Sequence, residues 1–241
     1  MLNKPLTFKY RSDQKELLDE AFIPANLLNK NLRELDILNR TTGGHAITLK
    51  GIKSLVTDHN KTYHIVDLGC GGGDTLKVIA DWARTNNFQV KLTGVDVNNI
   101  VITYLNLHCR NYSEIRGITS HYQEYINTYE DIDILHCSLF CHHLNDDELL
   151  QLLVYCNKKV KTGFIINDLN RHWLPYYCAW FFTRLLNGSK LAKNDGPISV
   201  LRGFRYIELF NLLEKAKTNN FTIKKAWPFR FLVVGKTASH E

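Results

Sequence analysis

The 241-residue chain is 44% hydrophobic, 11% aromatic and 22% charged, with a formal net charge of +6 at pH 7. Its length suits one decorated domain, and its apolar content excludes an intrinsically disordered chain. The positive balance is mild and no dense lysine or arginine block accompanies it, so a solvated basic surface is favoured over nucleic-acid binding.

The first twenty residues, MLNKPLTFKYRSDQKELLDE, are too polar for the apolar stretch of a secretory signal. The most apolar stretch, WLPYYCAWFFTRLL, is interrupted by Pro175 and Arg184 and is too short to span a bilayer. Six cysteines (Cys70, Cys109, Cys137, Cys141, Cys156, Cys178) form no C-x-x-C pair. Reduced thiols in a cytoplasmic protein without stable membrane insertion are the expectation.

In chain order, residues 14–40 place Leu17, Leu18, Phe22, Leu27, Leu28, Leu32, Leu35 and Leu38 at helical spacing, with Pro24 as a break. With a second helix from about Leu49 to Val56, this makes residues 1–60 a helical N-terminal extension. Five apolar runs follow at 63–68, 90–97, 115–120, 131–138 and 162–168, separated by helical stretches at 74–85, 98–110 and 146–158. Such alternation predicts an α/β fold with a mostly parallel sheet and helices on both faces. FTIKKAW and FRFLVVGK flank Pro228 closely enough to require a C-terminal antiparallel hairpin, which brings the sheet to seven strands. A long aromatic-rich insertion occupies 169–205 of the 61–241 region.

The first strand ends in Asp67-Leu-Gly69-Cys-Gly71-Gly-Gly73-Asp74. No Gly-Lys-Ser/Thr follows, which excludes a P-loop, and Asp74 stands where a dinucleotide fingerprint needs its third glycine. A carboxylate there caps a helix but repels a pyrophosphate, so the ligand reads as a nucleoside without phosphates. Asp96, at the end of the second strand, suits a pair of ribose hydroxyls.

This D-x-G-x-G-x-G segment, with Asp96 and the terminal hairpin, resembles the class I S-adenosylmethionine-dependent methyltransferases. The resemblance covers residues 61–236. It implies a Rossmann-like sheet of order 3-2-1-4-5-7-6, S-adenosyl-L-methionine as cofactor, and cofactor contacts from Asp67, Gly69, Gly71, Asp96 and Val97. It also assigns His121 and Tyr122 to the adenine side, although the family pattern there is acidic followed by small. Ser138, Leu139 and His143 fall near the methionine moiety. NRTTGGH, NDLNRHWLPYY and NDGPISVLRGF resemble small-molecule methyltransferases of bacterial polyketide and quinone pathways. That likeness implies a phenolic or quinol-like substrate and places Arg40, Gly44 and His45 in a lid over the cofactor's carboxylate end.

An oxygen acceptor must lose a proton, and histidine is the natural base near neutral pH. His143 is read as cofactor-proximal and His142 as the base. Cys137, Cys141, His142 and His143 are too crowded for a zinc knuckle, and Asp168 alone cannot define a magnesium site, so metal-independent chemistry is expected. In the insertion, Trp173, Tyr176, Tyr177, Trp180 and Phe181 could wall an apolar pocket, with Arg171, His172 and Arg202 on a head group. Packing of this helix on the N-terminal helices or in a homodimer is the competing use. The leading expectation is O-methylation of a small lipophilic aromatic metabolite. C-methylation of a similar ring, an RNA-binding methyltransferase-like module and a non-catalytic interaction protein are the alternatives.

Overall fold

The computed structural model describes residues 7–20, 22–129 and 131–237, so the outermost ends of the two expected regions, 1–6 and 238–241, lie outside the described residues. A seven-stranded sheet has the order β3-β2-β1-β4-β5-β7-β6, as expected. Strands β1 (Thr62–Leu68), β2 (Gln89–Asp96), β3 (Ile115–Thr119), β4 (Ile134–Ser138) and β5 (Gly163–Leu169) are parallel. The hairpin of β6 (Phe221–Ala226) and β7 (Arg230–Lys236) joins antiparallel to β5.

Alternate residues of the strands build two apolar layers. Ile65, Leu92, Ile134, Ile165 and Val234 pack on α2 (Gly44–Leu55), α3 (Asp74–Thr85) and α4 (Asn99–His108). Val66, Leu68, Leu135, Cys137, Phe164 and Val233 pack on α5 (Tyr122–Thr128), α6 (Asp146–Lys159) and α9 (Tyr206–Lys215). Local chemistry fixes the helix ends. Asn145 and Glu148 form a reciprocal capping box on α6, whose first turn holds Asp146 and Asp147 and whose last holds Lys158 and Lys159.

Four elements differ from the sequence reading. Helix α2 starts at Gly44 and not near Leu49, because Gly43 takes the left-handed conformation (φ +71°) and turns the apparent loop into a helix start. Strand β4 starts at Ile134; just before it the Asp133 carboxylate accepts from the His64 amide, while the Asp133 amide donates to the His64 carbonyl. The short α5 and the α9 helix are absent from the sequence reading, although α9 buries Leu209, Leu212 and Leu213 at helical spacing.

The insertion forms α7 (Trp173–Leu185) and α8 (Lys190–Arg202). Helix α1 (Ala25–Thr41) crosses the sheet's C-terminal side, where Leu28 and Leu32 share a small core with Val101 of α4 and Leu191 of α8. Ahead of it, residues 8–12 are strapped to the end of α8. Arg171, wholly buried, donates to the carbonyls of Phe8 (3.1 Å), Lys9 (3.3 Å) and Gly203 and pairs with Glu208. Ser12 N–H donates to the Leu201 carbonyl at 3.0 Å.

Removing Arg171 would strand these buried acceptors and the Glu208 charge. Arg171→Ala is expected to destabilise the fold by about 3 kcal/mol or more in urea unfolding, whereas an exposed-site control such as Arg184→Ala should change it by less than about 0.5 kcal/mol.

Candidate active site

Along the face packed on α2, the strands carry an apolar layer of Ile65, Ile134 and Ile165. Two residues further on, the same columns carry Asp67, His136 and Asn167. All three are buried, so each must be satisfied internally. The His136 ring donates through Nδ1 to Asp67 Oδ1 (2.7 Å) and its Nε2 meets Thr48 Oγ1 of α2 (3.1 Å). Asn167 Nδ2 donates to the same hydroxyl (3.0 Å) and to the Gly44 carbonyl (2.9 Å). Asp67 therefore ties the first strand to α2 through His136, a role that the glycine motif alone does not reveal.

The loop after β1 needs its glycines. Gly69, Gly71 and Gly73 have φ of +67°, +51° and +78°, which disfavours any residue with a β-carbon. At Gly69 such a carbon would also lie 2.4 Å from the Phe140 ring, and at Gly71 it would touch Leu32 of α1 at 3.6 Å. Phe140, not only a ligand, thus sets the close approach at Gly69.

Asp96 lies across from this loop at the end of β2. The amides of Asn98 and Gly71 hold its carboxylate, and no cation pairs with it among the described residues. Burial pushes its pKa up to about 6 against those amides. Val97 beside it is 58% exposed. His121 is exposed at the start of α5, and Tyr122 sets its ring edge-on to Phe140 at 5.6 Å. Ser138 is half-buried, and Leu139 takes a left-handed φ of +52°, a strained conformation for a non-glycine residue.

Across the loop, Asp74 pairs with His108 (2.7 Å) and borders a cavity of about 390 Å³ lined also by Arg33, Asp36, Ile37 and Tyr104. His45, in the expected lid, contacts Asp36 (3.1 Å) and Thr75 (3.0 Å), while Arg40 is exposed and paired with Asp36 of its own helix.

After β4, a 3-10 turn (Cys141–His143) presents the two adjacent histidines. His142 Nδ1 donates to Asp168 Oδ1 of β5 at 2.7 Å, and the His142 amide reaches Oδ2 at 3.2 Å. Burial opposes the Asp168 charge, but the His142 ring and these amides hold its pKa below the ordinary aspartate value. His143 Nδ1 donates to Asp19 Oδ1 at 2.9 Å. Both remaining ring nitrogens face Glu16, with His142 Nε2 at 3.6 Å from Oε1 and His143 Nε2 at 3.9 Å from Oε2.

Glu16 is 3% exposed; its Oε2 accepts from Ser199 (2.7 Å) and its Oε1 has no hydrogen-bond partner among the described residues. Burial pushes its pKa up to about 7, despite the opposing effects of His143, Ser199 and Arg202. Asp19 behaves oppositely: its bonds from His143 and Arg202 overcome burial and lower its pKa. Neither acid carries a sequence signal, since both lie more than a hundred residues from the histidines in a segment legible only as helical.

Arg202 donates to the carbonyls of His142 (3.1 Å) and His143 (2.9 Å) and to Asp19 (2.6 Å), so it buttresses the pair. Arg171 spends its donors on the strap described above. His172 caps α7 by accepting from the Leu174 amide (3.2 Å). Tyr176 and Trp180 line a groove of about 620 Å³ with Leu17, Arg184, Lys190, Lys193 and Ile198, whereas Trp173, Tyr177 and Phe181 stand half-exposed on α7. Cys137 and Cys141 are buried in the core beneath α6.

Residues 65–163 match the family described as a methyltransferase domain. Structures of similar fold include an S-adenosylmethionine-dependent methyltransferase from Aquifex aeolicus, 14% identical over 90% of this chain and 100% of that one, with a TM-score of 0.62. The plantazolicin methyltransferase in complex with SAH is 17% identical over 87% of this chain and 88% of that one (TM-score 0.61). A Nostoc punctiforme protein provisionally assigned as an O-methyltransferase is 14% identical over 86% of this chain and 60% of that one (TM-score 0.57). A search of curated proteins gave no significant match. The described chain thus has the class I fold seen in the S-adenosylmethionine-dependent methyltransferases, and its residues 65–163 are similar to their domain family.

The raised Glu16 pKa has a consequence for stability. The folded state holds the Glu16 proton more tightly than the unfolded one, so this contribution is complete below about pH 4.5 and is lost as pH rises through about 7. In chelator-treated protein, the urea midpoint of the parent should fall between about pH 5 and 7 relative to Glu16→Gln. Parallel curves for the two proteins would contradict this.

Proposed function

We propose that the chain transfers the methyl group of S-adenosylmethionine to a hydroxyl of a small, lipophilic aromatic acceptor. The observation that carries this reading is the convergence, at the C-terminal ends of β1, β2, β4 and β5, of the glycine loop, the unpaired Asp96 carboxylate and two carboxylate-held imidazoles. Ligands of open parallel sheets bind at that edge.

The site fits the cofactor. Asp96 offers carboxylate oxygens to both ribose hydroxyls, the positive-φ glycines leave backbone without β-carbons beside it, and Leu32 and Phe140 supply apolar walls. S-adenosylmethionine, when bound, supplies a sulfonium-activated methyl with a good leaving group. The protein's share is to align the acceptor, exclude water and remove one proton. His142 suits the proton removal, because Asp168 fixes its Nδ1 proton and leaves the Nε2 lone pair to accept. The more accessible His143 stands beside it, the rings 4.3 Å apart.

The groove beside Tyr176 and Trp180 gives an apolar acceptor a wall, and its Arg184, Lys190 and Lys193 suit a polar or acidic head. The exposed aromatic face of α7 would also serve contact between two copies. No helix among the described residues is long and apolar enough to cross a membrane. On this reading the reaction takes place in the cytoplasm.

Calorimetry with S-adenosylhomocysteine should show one site. Asp96→Ala should weaken it at least about tenfold, in line with the loss of charge-assisted hydrogen bonds. Parent affinity should also decline as pH falls through about 6, where Asp96 takes up its proton. Absence of binding by the parent would defeat the reading. With an acceptor in hand, His142→Ala should lower kcat by about 10²–10⁴ while cofactor affinity stays unchanged.

A further inference from the structure

We propose that Glu16, His142 and His143 form a binding site for a divalent first-row transition-metal ion, with Asp168 and Asp19 orienting the two imidazoles. Charge and lone pairs motivate it. Each ring commits its Nδ1 proton to an aspartate, so each Nε2 presents a lone pair, and both lone pairs face the Glu16 carboxylate. Lone pairs and carboxylate repel unless a proton or a metal ion lies among them. The unpartnered Oε1 of Glu16 points into this same space from a side chain that is almost wholly buried.

The dimensions suit an ion. One ligand atom from each of the three residues lies within 4.8 Å of the others, and the two nitrogen-to-oxygen separations are 3.6 and 3.9 Å. Ligands at about 2.0–2.2 Å from a tetrahedral centre lie about 3.3–3.6 Å apart, so closure requires side-chain shifts of up to about 1 Å. Two imidazoles and one carboxylate favour zinc, cobalt, manganese or iron over magnesium or calcium. An imidazole whose other nitrogen donates to a carboxylate is the usual supported form of a histidine ligand, and here both rings have it.

Arg202 is the one competing cation at the cluster among the described residues. Its Nη1 lies 3.7 Å from Glu16 Oε1 but 2.6 Å from Asp19, and its other donors hold the His142 and His143 carbonyls. It is committed to Asp19 and leaves Oε1 unbonded. With the ion bound, His142 Nε2 would serve as a ligand and not as the base, and open coordination positions on the ion would instead bind an acceptor oxygen and favour its deprotonated form. The site itself does not depend on the methyl-transfer reading and is tested without cofactor.

The full chain, freed of metal by a chelator, would be titrated with Co²⁺ by visible absorption and with Zn²⁺ by calorimetry. One ion per chain is expected, with d–d bands of nitrogen and oxygen ligation and no sulfur charge transfer. Glu16→Gln and Asp168→Asn should each weaken the ion about 10- to 100-fold, while S-adenosylhomocysteine affinity, which reports the fold and the cofactor reading separately, stays within about twofold. Cys178→Ser, at a partly exposed thiol, should leave metal affinity unchanged. No binding up to about 1 mM ion, sulfur ligation, or affinity undiminished in Glu16→Gln would each overturn the site. Those outcomes with S-adenosylhomocysteine binding retained would leave the methyltransferase reading standing.

Discussion

A carboxylate that ends a buried parallel strand has to find a partner inside the protein. Asp67 finds His136 on the next strand, His136 finds Thr48 on α2, and Asn167 closes the chain of bonds onto the Gly44 carbonyl. The sheet changes from apolar to polar within one layer, and that polar layer fastens the N-terminal helices over the edge where ligands bind. Burial makes the fastening strict, because a polar group left without its partner there costs about 1–3 kcal/mol.

A second fastening of the same kind holds the start of the chain. Residues 8–19 run from the Arg171 clamp across α8 to the histidine pair, and Glu16 and Asp19 complete a cluster whose other members come from the 3-10 turn, β5 and α8. Arginines serve here as structural forks: Arg171 holds the strap and Arg202 holds the carbonyls of both histidines. The N-terminal segment is therefore part of the site's walls, and the chemistry of His142 and His143 cannot be described without it.

The strands, the hairpin and the glycine loop were legible in the sequence because their signals are local, whereas the strand order followed only from the family resemblance. Seven apolar runs, one proline between the last two, and a glycine-rich turn with an acid 29 residues downstream of Asp67 occupy fixed spacings. Long-range pairings leave no such trace. Glu16 and Asp19 read as ordinary helix-face acids, His136 as a strand residue, and Arg171 and Arg202 as free cations near aromatics. Only the folded chain shows where their bonds go. Gly43 shows the limit of turn chemistry, since a Gly-Gly pair reads as a loop yet here begins a helix.

The central claim is that this edge of the sheet moves a methyl group onto a lipophilic aromatic hydroxyl. Isotope-labelled S-adenosylmethionine, incubated with the protein and organic-phase metabolite fractions, would test it by product mass and fragmentation. The account predicts one added labelled methyl on oxygen of an aromatic product, lost in His142→Ala. Label appearing only on ring carbon, on RNA, or on nothing in any fraction from a protein that binds S-adenosylhomocysteine would contradict it.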